Sequence, residues 1–417
     1  EIVKSNLGRK PVVVVSAVRK ITDRLIELAK LAKEGNGDEV FSTIKNIHYG
    51  ILEKLNMEKN LLDKDLNELQ KVVKSVNGKV LDAKTLDLFQ SFGERMSSKI
   101  VAAQLSKNGM EAQAFNAFDL GLITNSDFGN AEPLEEAFGN LNNSIKKIKV
   151  IPVITGFIGK TREGEITTLG RGGSDYTAGI VGAAINASEI QIWTDVDGIM
   201  SADPKIIENA RTLTQVSFAE ASEIAYFGAK VLHPKTIIPA MEKNIPVRVL
   251  NTFNPKGNGT LILNEVEKNK QTVKAITSKR NITLIHVNSK RMLGAYGFLA
   301  RLFDVFYKYK QSVDVVSTSE VSVSMTADNG KNIADIASDL KGIADVKILE
   351  NKAVICVVGE GMRHTPGVSG RTFSVLGKNK INIEMISQGA SEINITFVVD
   401  GKDAENAVKV LHKEYYG

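Results

Sequence analysis

Cysteine, histidine and tryptophan are scarce, and each scarcity closes off a class of chemistry. Cys356 is the single cysteine among 417 residues, which rules out an internal disulfide and fits a reducing cytoplasm. It sits in an apolar run, residues 353–358, where a buried structural thiol is expected. Five histidines at unpaired spacings form no zinc pattern, so no protein-held metal is expected. No apolar run approaches the roughly 18 residues of a bilayer span. The polar segment 1–10 does not read as a signal peptide. A net charge of +5, spread over helices, gives no basic patch. Neither a membrane nor a nucleic acid is therefore expected as a partner.

What is present is an ordinary globular composition, 43% hydrophobic and 24% charged, long enough for two or three domains. The first half alternates short apolar strands (12–15, 150–155, 190–194, 247–251) with amphipathic helices (21–33, 61–73, 86–105), which predicts a layered α/β domain. Residues 174–185 are rich in small side chains and read as a helix packed closely on the sheet. Residues 1–6 read as the end of a helix, so a strand-helix unit is expected upstream. The run Asn254-Pro255-Lys256-Gly257-Asn258-Gly259 reads as a linker.

From Thr272 onward the chain falls into two similar units. Residues 319–324 (Ser-Glu-Val-Ser-Val-Ser) match 391–396 (Ser-Glu-Ile-Asn-Ile-Thr), and 297–303 parallel 370–376. This is an internal repeat of roughly 70 residues. Each unit reads as a ferredoxin-like βαββαβ module. The expected divisions are a first domain over 1–264, a second over 272–345 and a third over 346–417 that also takes the strand 272–278.

The densest chemical motif is Thr167-Thr168-Leu169-Gly170-Arg171-Gly172-Gly173-Ser174-Asp175-Tyr176-Thr177. A glycine-rich turn opens a helix, with Ser174 or Asp175 expected as its cap. Backbone N–H groups in such a turn form an anion-binding nest. Arg171 can grip a carboxylate through two parallel hydrogen bonds, and Asp175 can receive an ammonium group. A tight, well-capped turn is the plainer alternative. A second motif, Trp193-Thr194-Asp195-Val196-Asp197-Gly198, ends a buried strand in an acidic loop, where open α/β sheets bind ligands. A polar turn would look the same. Its acidic spacing fails the EF-hand pattern. Gly159-Lys160-Thr161 has no upstream glycine at Ile154 and is not a P-loop. Lys230, in Phe227-Gly228-Ala229-Lys230, could neutralise a phosphate or be an ordinary surface lysine. Glu94, in Phe92-Gly93-Glu94, could receive an ammonium, although a solvated or ion-paired side chain is the default.

Taken together and in this order, the motifs resemble the aspartate kinase family. They are 16–22, 92–94, 155–159, 169–176, 193–196, 227–234 and 313–324, and the likeness spans essentially the whole chain. The variant it most resembles is the monofunctional, lysine-sensitive one. The resemblance implies an amino-acid kinase (carbamate kinase-like) αβα sandwich followed by two ACT domains, acting in the first step of lysine, threonine and methionine biosynthesis. By position it implies an aspartate site of Ser16, Thr22, Glu94, Phe157, Thr168, Arg171, Ser174 and Asp175. Arg171 would hold the α-carboxylate, with Glu94 and Asp175 on the ammonium. It implies ATP, with Mg²⁺, at Thr194, Asp195, Met200, Asp203, Lys205, Lys230 and Val231. Arg171, Asp175, Glu94 and Lys230 would carry catalysis.

The family's Lys-Phe-Gly-Gly motif is absent and would lie upstream of Glu1. Met200 and Lys205 stand where the family usually has Tyr and Arg. The resemblance also implies an effector pocket of Met292, Phe298, Leu299, Val313, Asp314, Ser319, Glu320 and Thr326, and a homodimer paired through the ACT domains. Asp314 and Glu320 suit a cationic effector such as L-lysine, while Ala295 replaces a polar residue seen in some lysine-sensitive relatives and keeps threonine and S-adenosylmethionine open. The competing expectations are a kinase for another amino acid and an amino-acid sensor whose catalysis is impaired.

Overall fold

The computed structural model describes residues 1–228, 231–266, 271–289, 292, 296–330 and 332–417. It divides into two compact units. The first takes 1–193, 235–248 and 252–256; the second takes 194–234, 249–251 and 257–417. In chain order the elements begin α1 (Ile2–Ser5), β1 (Val13–Val15), α2 (Ile21–Ala32), α3 (Asp38–Lys54), α4 (Asp63–Ser75), α5 (Ala83–Lys107), β2 (Ala112–Phe115), α6 (Glu135–Ile145), β3 (Ile151–Thr155), β4 (Ile158–Lys160), β5 (Ile166–Thr168), α7 (Gly173–Ile185) and β6 (Ile190–Thr194). They continue β7 (Gln215–Ser217), α8 (Phe218–Tyr226), α9 (Ile238–Glu242), β8 (Val247–Asn251), β9 (Thr260–Leu263), β10 (Ala275–Asn288), α10 (Phe298–Lys308), β11 (Val316–Thr318), β12 (Ser322–Asp328), α11 (Ile333–Lys341), β13 (Asp345–Val358), α12 (Val368–Lys378), β14 (Met385–Ser387), β15 (Asn394–Asp400) and α13 (Ala404–Tyr416).

The first unit is layered as its apolar strands require. β3 lies between β1 and β2, and both pair with it in parallel. Side chains alternate across this sheet. Val13, Val15 and Val153 pack with Ala102 and Leu105 of α5 on one face. Val12, Val14 and Ile154 pack with Leu141 of α6 and Ile180 of α7 on the other. A third core joins α2, α3, α4 and α5 around Leu25, Ile44, Leu69, Phe89 and Phe92.

In the second unit one antiparallel sheet runs β11-β12-β10-β13-β15-β14. β10 and β13 are each 14 residues long, because each serves two modules. Residues 282–288 of β10 pair with β12 on one side and with 345–352 of β13 on the other. Residues 275–280 pair with 353–358, which pair in turn with β15. Residues 275–280 thus form an edge beside 353–358, and position 345/346 falls at the very start of β13. The repeat also shifts. The residue equivalent to the helix-capping Gly297 (φ +78°) is Gly367 (φ +87°), both in the left-handed conformation that glycine tolerates, whereas Gly370 lies inside α12.

Residues 194–234, expected to belong with the kinase segment, group with these modules for visible reasons. Ala202 and Ile207 lie in the core formed by Ile276, Ile355, Phe397 and Leu411. Ile276 N–H donates to the Ser201 carbonyl at 2.9 Å. Cys356 is fully buried, burial pushes its thiol up to about 12, and it is inert as the sequence suggested. Glu220 is 0% exposed, and its carboxylate takes the Lys274 ammonium at 2.8 Å, the Ser217 N–H at 2.9 Å and the Glu360 N–H at 2.6 Å.

Lys274→Ala should leave Glu220 buried without its cation. The expected loss is about 3–5 kcal/mol, read as a lower urea midpoint. An unchanged midpoint would mean water reaches Glu220.

Candidate active site

The aspartate-site residues named from sequence fall in the first unit, and most of them line one cavity of about 330 Å³. Ser16, Thr22, Glu94, Phe157, Ser174 and Asp175 face it, with Gly170 and Gly172 flanking Arg171. The helix geometry differs from expectation. Gly172 caps α7 in the left-handed conformation (φ +70°), and no side chain makes a capping bond. Ser174 and Asp175 therefore stand in the first turn with their side chains uncommitted to the helix. The Arg171 guanidinium is exposed and pairs with no carboxylate among the described residues. It sits beside a helix N-terminus, whose dipole also favours an anion.

Glu94 departs from the default of a solvated or ion-paired side chain. It is 3% exposed. One oxygen accepts the Ala17 N–H at 3.0 Å, and the other is buried with no hydrogen-bond partner. The neighbouring glycine explains how it reaches this position. A β-carbon on Gly93 would come within 2.7 Å of the Ala17 β-carbon, so only glycine lets α5 close on the loop after β1. Burial without a cation pushes the Glu94 carboxyl up to about 7 and the Asp175 carboxyl up to about 6. A buried carboxyl and a half-buried one, neither in an ion pair among the described residues, thus face the same cavity.

The wall opposite is strained. Phe157 adopts φ +67°, uncommon for a bulky residue. It is held there because its N–H donates to Thr177 Oγ1 at 2.9 Å and its carbonyl accepts the Leu169 N–H at 2.9 Å. Gly156 is forced by the same fit, since a β-carbon there would meet Ser174 at 2.7 Å. Thr168 is placed differently from the other named residues. It is 1% exposed, and its hydroxyl is donated to Asp87 at 2.8 Å.

The cavity also takes Arg19 and Lys20, exposed cations at the start of α2, which the sequence argument did not single out. Lys20 has φ +66° as the α2 N-cap. No composition signal marks it. Only the fold brings it beside the acidic pair.

The nucleotide residues named from sequence lie in the second unit. Thr194 Oγ1 donates to the exposed Asp195 at 3.3 Å, and Asp203 closes a turn by accepting the Lys205 N–H at 2.9 Å. The Met200 sulfur accepts the Thr212 hydroxyl at 3.3 Å. Val231 is half-buried, and Lys230 lies outside the described residues. Between Met200 and Asp203 the loop is pinned to α13, where Ser201 Oγ lies 3.0 Å from His412 Nε2.

Of the effector residues, Phe298 is core, 4% exposed, with Met292 and Val313 packed against the same cluster. Leu299, Ser319 and Glu320 are exposed, and Glu320 makes no ion pair among the described residues. Thr326 is buried, its hydroxyl accepting the Val315 N–H at 3.0 Å. Both Asp314 oxygens are in use. One accepts the Tyr226 hydroxyl at 2.7 Å and the other the Lys279 ammonium at 2.8 Å.

A profile of the amino acid kinase family matches residues 1–251, and an ACT domain profile matches 355–415. Aspartokinase 3, chloroplastic, of Arabidopsis thaliana is 41% identical over 98% of this chain and 76% of its own length. The lysine-sensitive aspartokinase 3 of Escherichia coli K12 is 36% identical over 97% of this chain and 92% of its own. This chain belongs to the aspartokinase family. It is accordingly an enzyme, a kinase of aspartate that uses ATP. The structure of E. coli aspartokinase III with aspartate and ADP, in the R-state, matches with a TM-score of 0.85 at 34% identity, covering 100% of this chain and 96% of the other. The lysine and aspartate complex of that enzyme, in the T-state, matches at 0.81. Among the described residues no helix is long and apolar enough to cross a membrane.

If Glu94 and Asp175 receive the substrate ammonium, both must be ionised. kcat/KM for aspartate should then fall about tenfold per pH unit below about 7, and more steeply below about 6. The same raised values mean that the native protein holds more protons than the unfolded chain between about pH 4 and 7. That contribution to ligand-free stability is present at low pH and lost as pH rises through the window. A kcat/KM profile flat from pH 8 to 5 would remove both carboxyls from ammonium recognition.

Proposed function

We propose that this enzyme transfers the γ-phosphoryl group of ATP to the β-carboxylate of L-aspartate, with Arg171 on the α-carboxylate and Glu94 and Asp175 on the α-ammonium. The observation that carries this reading is a buried Glu94 and a half-buried Asp175, neither in an ion pair among the described residues, facing one cavity whose glycine turn carries the exposed, unpaired guanidinium of Arg171. That charge pattern is complementary to the backbone end of an amino acid and leaves its side-chain carboxylate to react. A carboxylate is already ionised at neutral pH, so attack on the γ-phosphorus needs no general base. Its oxygen forms the new P–O bond while the bond to the β-phosphate oxygen breaks, giving 4-phospho-L-aspartate and ADP. The protein's work is positioning and charge neutralisation.

ATP enters as its Mg²⁺ complex and contacts Thr194, Asp195, Met200, Asp203, Lys205, Lys230 and Val231. Met200 supplies a sulfur where the family usually has a phenol, and Lys205 supplies a point charge in place of a guanidinium fork. L-lysine acts as inhibitor through the first ACT module, in a homodimer paired through these modules. The exposed Glu320 is available to its ammonium, whereas Asp314 is held by Lys279 and Tyr226. A cationic effector that uses Asp314 therefore has to displace an internal cation.

Two measurements test this. Aspartate-dependent ADP release should be suppressed by millimolar L-lysine. Turnover indifferent to lysine would keep the kinase and reopen the effector. Arg171→Ala should raise the aspartate KM by about a hundredfold, the worth of a lost bidentate pair of about 3 kcal/mol. An unchanged KM would place the α-carboxylate elsewhere.

A further inference from the structure

Helix α5 carries a second buried carboxylate two turns before Glu94. Asp87 is 1% exposed and pairs with no cation among the described residues. It accepts the Thr168 N–H at 2.8 Å, the Thr168 hydroxyl at 2.8 Å and the Gly129 N–H at 2.9 Å. Seven residues separate Asp87 from Glu94, so both project from one face of α5, about 10 Å apart along its axis. Thr168 is the last residue of β5, and the chain beyond it carries Arg171, Ser174 and Asp175. Gly129 opens a segment that braces the same turn. Ala131 N–H donates to the Thr168 carbonyl at 2.9 Å, and a β-carbon on Gly170 would meet Asn130 Oδ1 at 2.8 Å.

One carboxylate thus ties three pieces of backbone around the Arg171 turn. Nothing in the core demands a charge at this position. A neutral amide could satisfy two of the donors through its carbonyl oxygen, but a carboxylate accepts from all three at once.

We propose that Asp87 is a positioning residue for the aspartate site, fixing the Thr168–Asp175 turn relative to Glu94 so that the guanidinium and the two ammonium-binding carboxyls hold one spacing. The chain of cause runs from Asp87 through Thr168 to Arg171 and Asp175; Asp87 itself touches no substrate. Burial raises the Asp87 carboxyl above its usual range, in keeping with a site closed to water. The inference rests on the aspartate site as proposed above.

The test is steady-state kinetics with aspartate and MgATP varied separately. Asp87→Asn keeps the shape but turns an amide N–H₂ toward one of the three donors. It should raise the aspartate KM about tenfold or more while the MgATP KM stays within about twofold. Thr168→Val, which removes only the hydroxyl bond, should move the same constant in the same direction, and by more than Thr168→Ser, which keeps it. Asp87→Asn combined with Thr168→Val should be little worse than the more damaged single variant, since both break one linkage. If Asp87→Asn does not fold, the Val and Ser comparison at Thr168 carries the test alone. Variants that melt earlier but keep the wild-type aspartate KM, or that raise both KM values equally, would overturn the proposal and leave Asp87 a packing residue. Absence of aspartate-dependent turnover in the wild-type chain would sink the underlying site reading instead, so the two failures are distinguishable.

Discussion

The structure of the first unit is organised around keeping a carboxylate out of water without giving it a cation. Glu94 faces the cavity with one oxygen on a backbone amide and the other unpaired. Its displacement from 4.5 to about 7 corresponds to roughly 3 kcal/mol of unfavourable charging. The surroundings are consistent with that purpose. Gly93 allows the close approach that buries it, and the left-handed Phe157 and the α-carbon-only Gly156 shape the opposite wall. A ligand ammonium would relieve the charging cost, so part of the affinity for an amino acid is stored in the empty protein. Specificity follows from the same fact, because a ligand without the ammonium leaves the cost unrelieved.

The second unit joins the 200–203 loop to the six-stranded sheet and α13 through direct bonds. Ser201 sits between Met200 and Asp203, yet its carbonyl accepts from β10 and its hydroxyl reaches α13. Tyr226 ends α8, a few residues before Lys230, and its hydroxyl is bonded to Asp314. Both connections run within one compact unit. A ligand acts through such links only if it binds two arrangements with different affinity. The internal Lys279–Asp314 pair is a contact that a cationic ligand at Asp314 would have to displace.

Much of this was legible beforehand. Strands at 190–194 and 247–251 and the helix at 21–33 were readable because short apolar-rich segments and amphipathic periods are local properties. Ser16, Thr22, Glu94, Phe157, Ser174 and Asp175, named from motif order, line one cavity. What could not be read is what depends on distant partners. Ser174 and Asp175 look like caps, and only the left-handed Gly172 shows that they are not. Glu94 looks like any helical glutamate until Ala17 closes over it. Asp87 carries no motif at all, and its partners lie 42 and 81 residues further along the chain. The module boundaries blurred for the same reason, since a strand's sequence does not say how many neighbours it will have at each end.

That double use of β10 and β13 sets an order of events during synthesis. When residues 275–280 leave the ribosome their strand partner, 353–358, has not yet been made, although Ser201, which accepts the Ile276 N–H, has. The segment between them, which carries the strands that pair with 282–288, emerges before the residues that claim the waiting edge strand. The second module is then assembled around a strand made more than seventy residues earlier, a long-range closure of the kind that slows folding. Until it is made, an unpaired strand edge stands open to other nascent chains.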